Sequence, residues 1–177
     1  DGARTAVVAD IEQMEAVISQ FMDYARTESG EPETLCEPAG LLAAIVERQT
    51  AIGRPLPAEI GDLPPCRLRP KALTRAVINL IDNAWKYGGG DVALTAATVN
   101  AEICIIITDR GPGVPADQVE RLKRPFTRLE SARTDASGTG LGLAIVERVV
   151  RLHGGRFDLL DNPGGGLLAQ ITLPVRR

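Results

Sequence analysis

Apolar positions along this chain follow two periods, and the switches between them divide it into elements. Over 5–27 the apolar side chains are Val7, Ile11, Met14, Ile18, Phe21 and Ala25. Their alternating spacing of four and three makes a heptad seam and predicts one helix. Such a seam on a terminal helix is expected to dock in an intermolecular helical bundle; packing on its own domain is the alternative. Residues 28–38 are polar, carry two prolines and read as a linker. A helix over about 39–52 has Leu41, Leu42, Ile45 and Val46 as its apolar positions. The proline-rich stretch after it leaves room for one or two short strands. A second helix is predicted over 70–87, with Leu73, Val77, Leu80, Ile81 and Ala84 on one stripe. Strands follow at 91–99 and 102–108. The second is apolar on successive residues from Ile103 to Ile107, which predicts burial on both faces. Residues 109–139 are loop-rich, with one short helical stretch at about 115–123. A helix over 141–152 is stopped by Gly154 and Gly155, and the last strands, 156–160 and 167–173, are joined by the turn sequence from Asp161 to Gly166. The order predicts an α/β fold, a mixed sheet with helices on one face in a two-layer sandwich.

Composition narrows the function classes. The 177 residues carry 20 basic and 23 acidic side chains, a formal charge of −3. That balance argues against a nucleic-acid binder that lives on charge. At 44% hydrophobic and 24% charged the chain is neither disordered nor fibrous. Its apolar runs are a handful of residues long, far below the roughly 20 needed to span a bilayer, and no signal-peptide pattern opens it. Three cysteines, Cys36, Cys66 and Cys104, lie far apart in sequence and outside metal spacing, so neither a disulfide framework nor a zinc site is expected, and a reducing compartment is.

Three constellations carry candidate chemistry. Asn79 and Asn83 stand four apart late in the second predicted helix, on one face, with Lys86 and Tyr87 beyond them. Aligned amides offer neutral oxygens to a hard cation such as Mg²⁺, and a lysine can meet phosphate as a point charge. A polar face capping a loop is the plainer reading of the same residues. Asp109, Gly111 and Gly113 follow the apolar strand directly. A strand-end carboxylate can accept from an exocyclic amine such as that of adenine, and glycines let a flat ring approach the backbone; an ordinary Asp-x-Gly turn is the competing reading. The run Ser137-Gly138-Thr139-Gly140-Leu141-Gly142-Leu143 leads straight into a helix, where consecutive N–H groups attract phosphate oxygens. It is neither a Walker loop nor a convincing dinucleotide fingerprint. The long stretch 114–137, with Arg128 and Arg133, reads as a lid able to fold over a polyphosphate.

In this order and spacing the motifs resemble the N, G1, F and G2 boxes of sensor histidine kinases, in the ATPase superfamily shared with gyrase B, Hsp90 and MutL. They are Asn79…Asn83-Ala-x-Lys86-Tyr87, Asp109-x-Gly111-x-Gly113, Pro125-Phe126 and Gly138-Thr139-Gly140-Leu141-Gly142-Leu143. The run from Asp10 to Arg26 resembles the second helix of the dimerisation and phosphotransfer hairpin, and Arg128 to Thr134 with the G2 run looks closest to EnvZ-type osmosensing kinases. The resemblance implies a five-stranded mixed sheet backed by three helices. It implies ATP and Mg²⁺ as cofactors, with Asn83 as the metal ligand helped by Asn79, Lys86 on the phosphates and Tyr87 near ribose or base. Asp109 would accept from the adenine amino group, Gly111 and Gly113 would shape the base pocket, and Arg128, beside Leu129, would reach the γ-phosphate. Thr139, Gly140, Leu141, Gly142 and Leu143 would present amides to the triphosphate.

The implied domains are a partial hairpin helix (1–28), a linker (29–38) and a catalytic ATP-binding domain (39–177). The implied activity is γ-phosphoryl transfer to a histidine absent from this chain, for relay to a response regulator of the OmpR class. The parent would be a homodimer through the hairpin, with this portion on the cytoplasmic side of an inner-membrane receptor. Two departures stand out. The phosphoacceptor motif is absent, and the sole histidine, His153, reads as structural; the chain is therefore expected to be a piece of a longer receptor. Lys123 stands where the F box usually has an aromatic residue. The rival readings are another ATPase or kinase of this fold, such as an anti-sigma serine kinase or gyrase-type ATPase, and a non-catalytic dimerisation module. A hydrolase would want a Glu base in the N box; here Asp82 lies about 100° round the helix from Asn83.

Overall fold

The computed structural model describes residues 30–129 and 139–176, together with Met14, Ile18 and Met22, which are helical and exposed. The rest of the predicted 5–27 helix lies outside the described residues. Among the described residues, seven strands and four α-helices follow: β1 (Thr34–Cys36), α1 (Pro38–Ala51), β2 (Ala58–Ile60), β3 (Cys66–Leu68), α2 (Pro70–Tyr87), β4 (Ala93–Val99), β5 (Glu102–Thr108), α3 (Val119–Leu122), α4 (Gly142–Leu152), β6 (Arg156–Asp161) and β7 (Leu167–Pro174).

Five strands form a mixed sheet in the order β2-β4-β5-β7-β6, with β2 parallel to β4 and every other pair antiparallel. The predicted stripe on α2 is the buried one: Leu73, Ala76, Val77, Leu80, Ile81 and Ala84 pack inward. On α4 the inward set is Ala144, Ile145, Val146, Val149 and Val150. Both helices, with α1, lie over one sheet face and share its core with Ile103, Ile105 and Ile107 of β5. β5 departs from the expectation of burial on both faces. Its residues alternate strictly, Ile103, Ile105 and Ile107 buried and Cys104 and Ile106 only partly so. The described helices pack on one side of the sheet, so a continuous apolar run here does not report a double-sided cover.

The stretch read as linker acquires structure from residue 30. β1 pairs antiparallel with β3 in a separate two-stranded ribbon, with Cys36 directly opposite Cys66. Both are free thiols, and burial pushes the Cys66 thiol up to about 11, which keeps it protonated. Just before β1, Glu31 caps α2. Its Oε1 accepts from the Lys71 N–H (2.9 Å) and its Oε2 from the Ala72 N–H (2.9 Å). Pro70 at the first helical position has no N–H to satisfy. The remaining contact at this end comes from His153, at the C-terminus of α4. Its Nε2 accepts from the Arg69 N–H (2.9 Å), so Nδ1 carries the proton and donates to Val149 O (2.8 Å). His153 is 3% exposed with both ring nitrogens bonded, a structural residue as expected.

Two predictions follow from this end of α2. Glu31→Ala leaves two first-turn N–H groups without their acceptor and is expected to lower the urea unfolding free energy by about 1 kcal/mol. Burial holds the His153 ring below its ordinary value of 6.5, with the Arg69 charge adding to the shift and the Val149 bond opposing it. The unfolded chain therefore binds more protons below pH 6.5. The His153 contribution to stability is complete above that pH and is lost as pH falls through it. Urea midpoints from pH 8 to pH 5 should fall more steeply for the native chain than for His153→Gln.

Candidate nucleotide site

The sheet and α2 position a cavity of about 500 Å³ between the C-terminal half of α2, the end of β5 and the start of α4. Its apolar wall includes Leu80, Ile107, Leu167 and Ala169, and its polar groups converge from three directions. From α2 come Asn79 and Asn83, both half-buried. The N-terminus of α4 abuts them: a Cβ added to Gly142 would sit 3.5 Å from Asn83 Nδ2 and 3.6 Å from Asn79 Oδ1. The two amides thus flank one small space beside the first-turn N–H groups of α4. Neutral amide oxygens with room for water fit a hard cation that shares phosphate ligands, and Mg²⁺ suits that donor set. Lys86 and Tyr87 line the outer end, with Lys86 Nζ 5.2 Å from the Tyr87 ring centroid.

The second direction is the end of β5. Asp109 is 6% exposed and lines the cavity. Its Oδ1 accepts from the Gly111 N–H (2.9 Å) and the Leu167 N–H (3.0 Å). No described residue bonds Oδ2, so that oxygen is available to a donor in the cavity. Gly113 (φ +71°) lines the same wall, while Gly111 does not; its backbone packs against Tyr87 and Gly88 so closely that any Cβ would collide with them.

The third direction is the pair of segments that bound 130–138. Arg128 and Leu129 line the cavity on one side, Thr139, Gly140, Gly142 and Leu143 on the other. Leu141 does not: its side chain is fully buried in the core, and its N–H meets Thr139 Oγ1 (3.3 Å). Ser137, Gly138 and Arg133 lie outside the described residues. The two segments are joined at their base. Phe126 N–H donates to Gly140 O (2.9 Å), and a Cβ on Gly140 would approach the Phe126 and Thr127 backbone to 2.9 Å. Lys123, in the position where an aromatic residue was expected, ties the preceding turn to β6. Its Nζ donates to Glu120 Oε1 (2.7 Å) and Phe157 O (2.9 Å) and lies 5.6 Å from the Phe157 ring centroid.

Comparison with known proteins decides the family. Residues 69–177 match the model of the histidine kinase-, DNA gyrase B- and HSP90-like ATPases. The chain belongs to that family. Within it, the chain is 30% identical to the ATP binding domain of PrrB from Mycobacterium tuberculosis, covering 82% of this chain and 99% of that one at a TM-score of 0.65. It is 32% identical to the histidine kinase domain of the E. coli osmosensor EnvZ, covering 85% of this chain and 93% of that one at a TM-score of 0.65. The signal transduction histidine-protein kinase/phosphatase MprB of Mycolicibacterium vanbaalenii is 34% identical over 98% of this chain and 37% of its own length. The chain spans between a fifth and a little over a third of the curated relatives it matches.

Sequence reasoning missed Leu167, Asn162 and Arg110 as parts of this ATP-binding domain's cavity wall and its bracing. The Asn-Pro-Gly-Gly-Gly run was a signal only for a turn, with nothing to say that the turn folds back on Asp109. For the base of the 130–138 segment, Gly140→Ala forces a Cβ into backbone at φ +71°. It is expected to lower stability by about 1–3 kcal/mol and to weaken adenine nucleotide binding, measured by urea unfolding and calorimetry on the same protein.

Proposed function

We propose that this domain binds MgATP and delivers its γ-phosphoryl group to a histidine outside this chain, for relay to an aspartate of a response regulator. The observation that carries the reading is Asp109: a buried, cavity-lining carboxylate with one oxygen held by two main-chain donors and the other without a bond among the described residues. An ionised carboxylate accepts only, so it selects the amino edge of adenine over the carbonyl edge of guanine. Gly113 and Tyr87 border the base, Asn83 with Asn79 holds Mg²⁺, and Lys86, Arg128 and the amides from Thr139 to Leu143 meet the phosphates. When bound, Mg²⁺ bridges phosphate oxygens and offsets their charge. The protein supplies position and donors rather than a covalent intermediate.

Relatives named as histidine kinases favour a kinase over a hydrolase. Asp82 lines the cavity and is paired with Arg54 at 2.8 Å across an exposed surface. His153 is buried with both nitrogens bonded, which excludes it as acceptor and leaves that role to another segment or subunit. Exposure of Met14 and Ile18 on the seam supports a helix over 1–28 that pairs in a dimerisation hairpin, followed by a junction and a catalytic domain over 39–177. An EnvZ-type parent, an OmpR-class regulator, homodimerisation and a position on the cytoplasmic side of an inner-membrane receptor complete the reading. No helix among the described residues is long and apolar enough to cross a membrane.

Isothermal titration with ADP tests it. The native chain should bind ADP more tightly with Mg²⁺ than with chelator, Asn83→Ala should abolish that difference, and Asp109→Ala should weaken binding at least about tenfold. Absence of heat for both ADP and ATP, or equal affinity in all three proteins, contradicts the reading.

A further inference from the structure

The turn between β6 and β7 is built against Asp109 from both sides. Asn162 Nδ2 donates to the Asp109 carbonyl (2.8 Å). In the opposite sense, Arg110 Nη1 donates to Pro163 O (2.6 Å) and Gly165 O (3.2 Å). The turn closes on itself through Asn162 N–H to Gly166 O (3.0 Å) and Gly165 N–H to Asn162 O (2.9 Å). Glycine is required where the two segments meet. Gly164 lies against the Arg110 guanidinium, where a Cβ would come within 2.9 Å of Nη1, and at Gly166 a Cβ would collide with the Asp109 carbonyl. Gly164 and Gly166 also have φ of +87° and +100°.

The consequence falls on the carboxylate. Leu167, the first residue of β7, follows this turn directly, and its N–H is one of the two donors that hold Asp109 Oδ1. Leu167 O in turn accepts from the Asp109 N–H at 3.0 Å. Where the turn sits therefore sets where Leu167 N–H points, and that sets how the carboxylate is rotated and which oxygen meets the cavity. Neither Asn162 nor Arg110 lines the cavity; they act through Asp109.

We propose that Asn162 and Arg110 are positioning residues for purine selection: by clamping the β6–β7 turn to the end of β5 they hold the Asp109 carboxylate in the rotation that accepts from an adenine amino group. This rests on the reading of Asp109 as the base acceptor. Loss of the clamp frees the carboxylate to turn, so adenine loses its fixed partner while a guanine nucleotide, which has no amino group at that edge, loses nothing there.

The test is calorimetric affinity for ADP and for GDP with Mg²⁺, on the full chain and on Asn162→Ala, Arg110→Ala and Arg110→Lys, with Asp109→Ala beside them. Asn162 is half-buried and residues 163–165 beside it are exposed, so its truncation is expected to leave the protein folded. The inference expects Asn162→Ala and Arg110→Ala each to weaken ADP roughly fivefold to tenfold, the scale of a lost hydrogen bond, with GDP unchanged. The ADP-to-GDP ratio should recover in part in Arg110→Lys. A purely structural role would lower the urea midpoint and leave that ratio where it was; an unchanged ratio in Asn162→Ala overturns the inference even if Arg110→Ala fails to fold. If Asp109→Ala itself leaves the ADP-to-GDP ratio unchanged, the base reading fails instead; if it collapses the ratio while Asn162→Ala does not, only the clamp fails.

Discussion

A carboxylate at 6% exposure is costly unless its oxygens are bonded, and the architecture around Asp109 meets that requirement on one oxygen only. β5 brings the residue to the sheet's end, the 109–113 loop returns the Gly111 N–H, and the register of β5 with β7 supplies the Leu167 N–H. Two donors on Oδ1 leave Oδ2 without a bond among the described residues, in a residue that lines the cavity. That asymmetry is what the proposed base recognition rests on. The glycines nearby serve close packing more than mobility: Gly88, Gly111 and Gly166 each sit where any Cβ would collide with a neighbour.

The other end of the cavity depends on two helix N-termini handled in opposite ways. The N-terminus of α2 is closed off, by Glu31 on the Lys71 and Ala72 N–H groups and by His153 on Arg69. At α4 the N-cap residue Leu141 makes no side-chain capping bond and the first turn holds no acidic residue. Gly142 at its start abuts Asn79 and Asn83, the placement on which the proposed phosphate and Mg²⁺ contacts rest. The Phe126 N–H to Gly140 O bond holds the chain before residue 130 against the chain after residue 138 at this end of the cavity.

Much of this was legible in the chain. The α2 stripe from Leu73 to Ala84, the strand after it and the paired asparagines are local patterns with a period, and local patterns survive folding. Met14 and Ile18 are helical and exposed, as the 5–27 pattern expects, while the rest of that helix lies outside the described residues. What was not legible is long-range. Glu31 reads as one more charge in a polar stretch until Lys71, forty positions on, turns out to lie under it. Thr34–Cys36 has no strand signal of its own, because β3 creates it. Asn162 looked like turn chemistry and no more, since its partner Asp109 is 53 residues away. Ile103 to Ile107 misled in the other direction: hydrophobicity on both faces of β5 does not require a second helical layer.

The most direct measurement is a crystal structure of the chain with ADP and Mg²⁺. The account predicts the adenine amino nitrogen at roughly 3 Å from Asp109 Oδ2, a hydrogen-bond distance, with Oδ1 still holding the Gly111 and Leu167 N–H groups and the phosphates beside Asn83. An adenine bound elsewhere, or one that meets Asp109 only after the Leu167 bond to Oδ1 is broken, would contradict it.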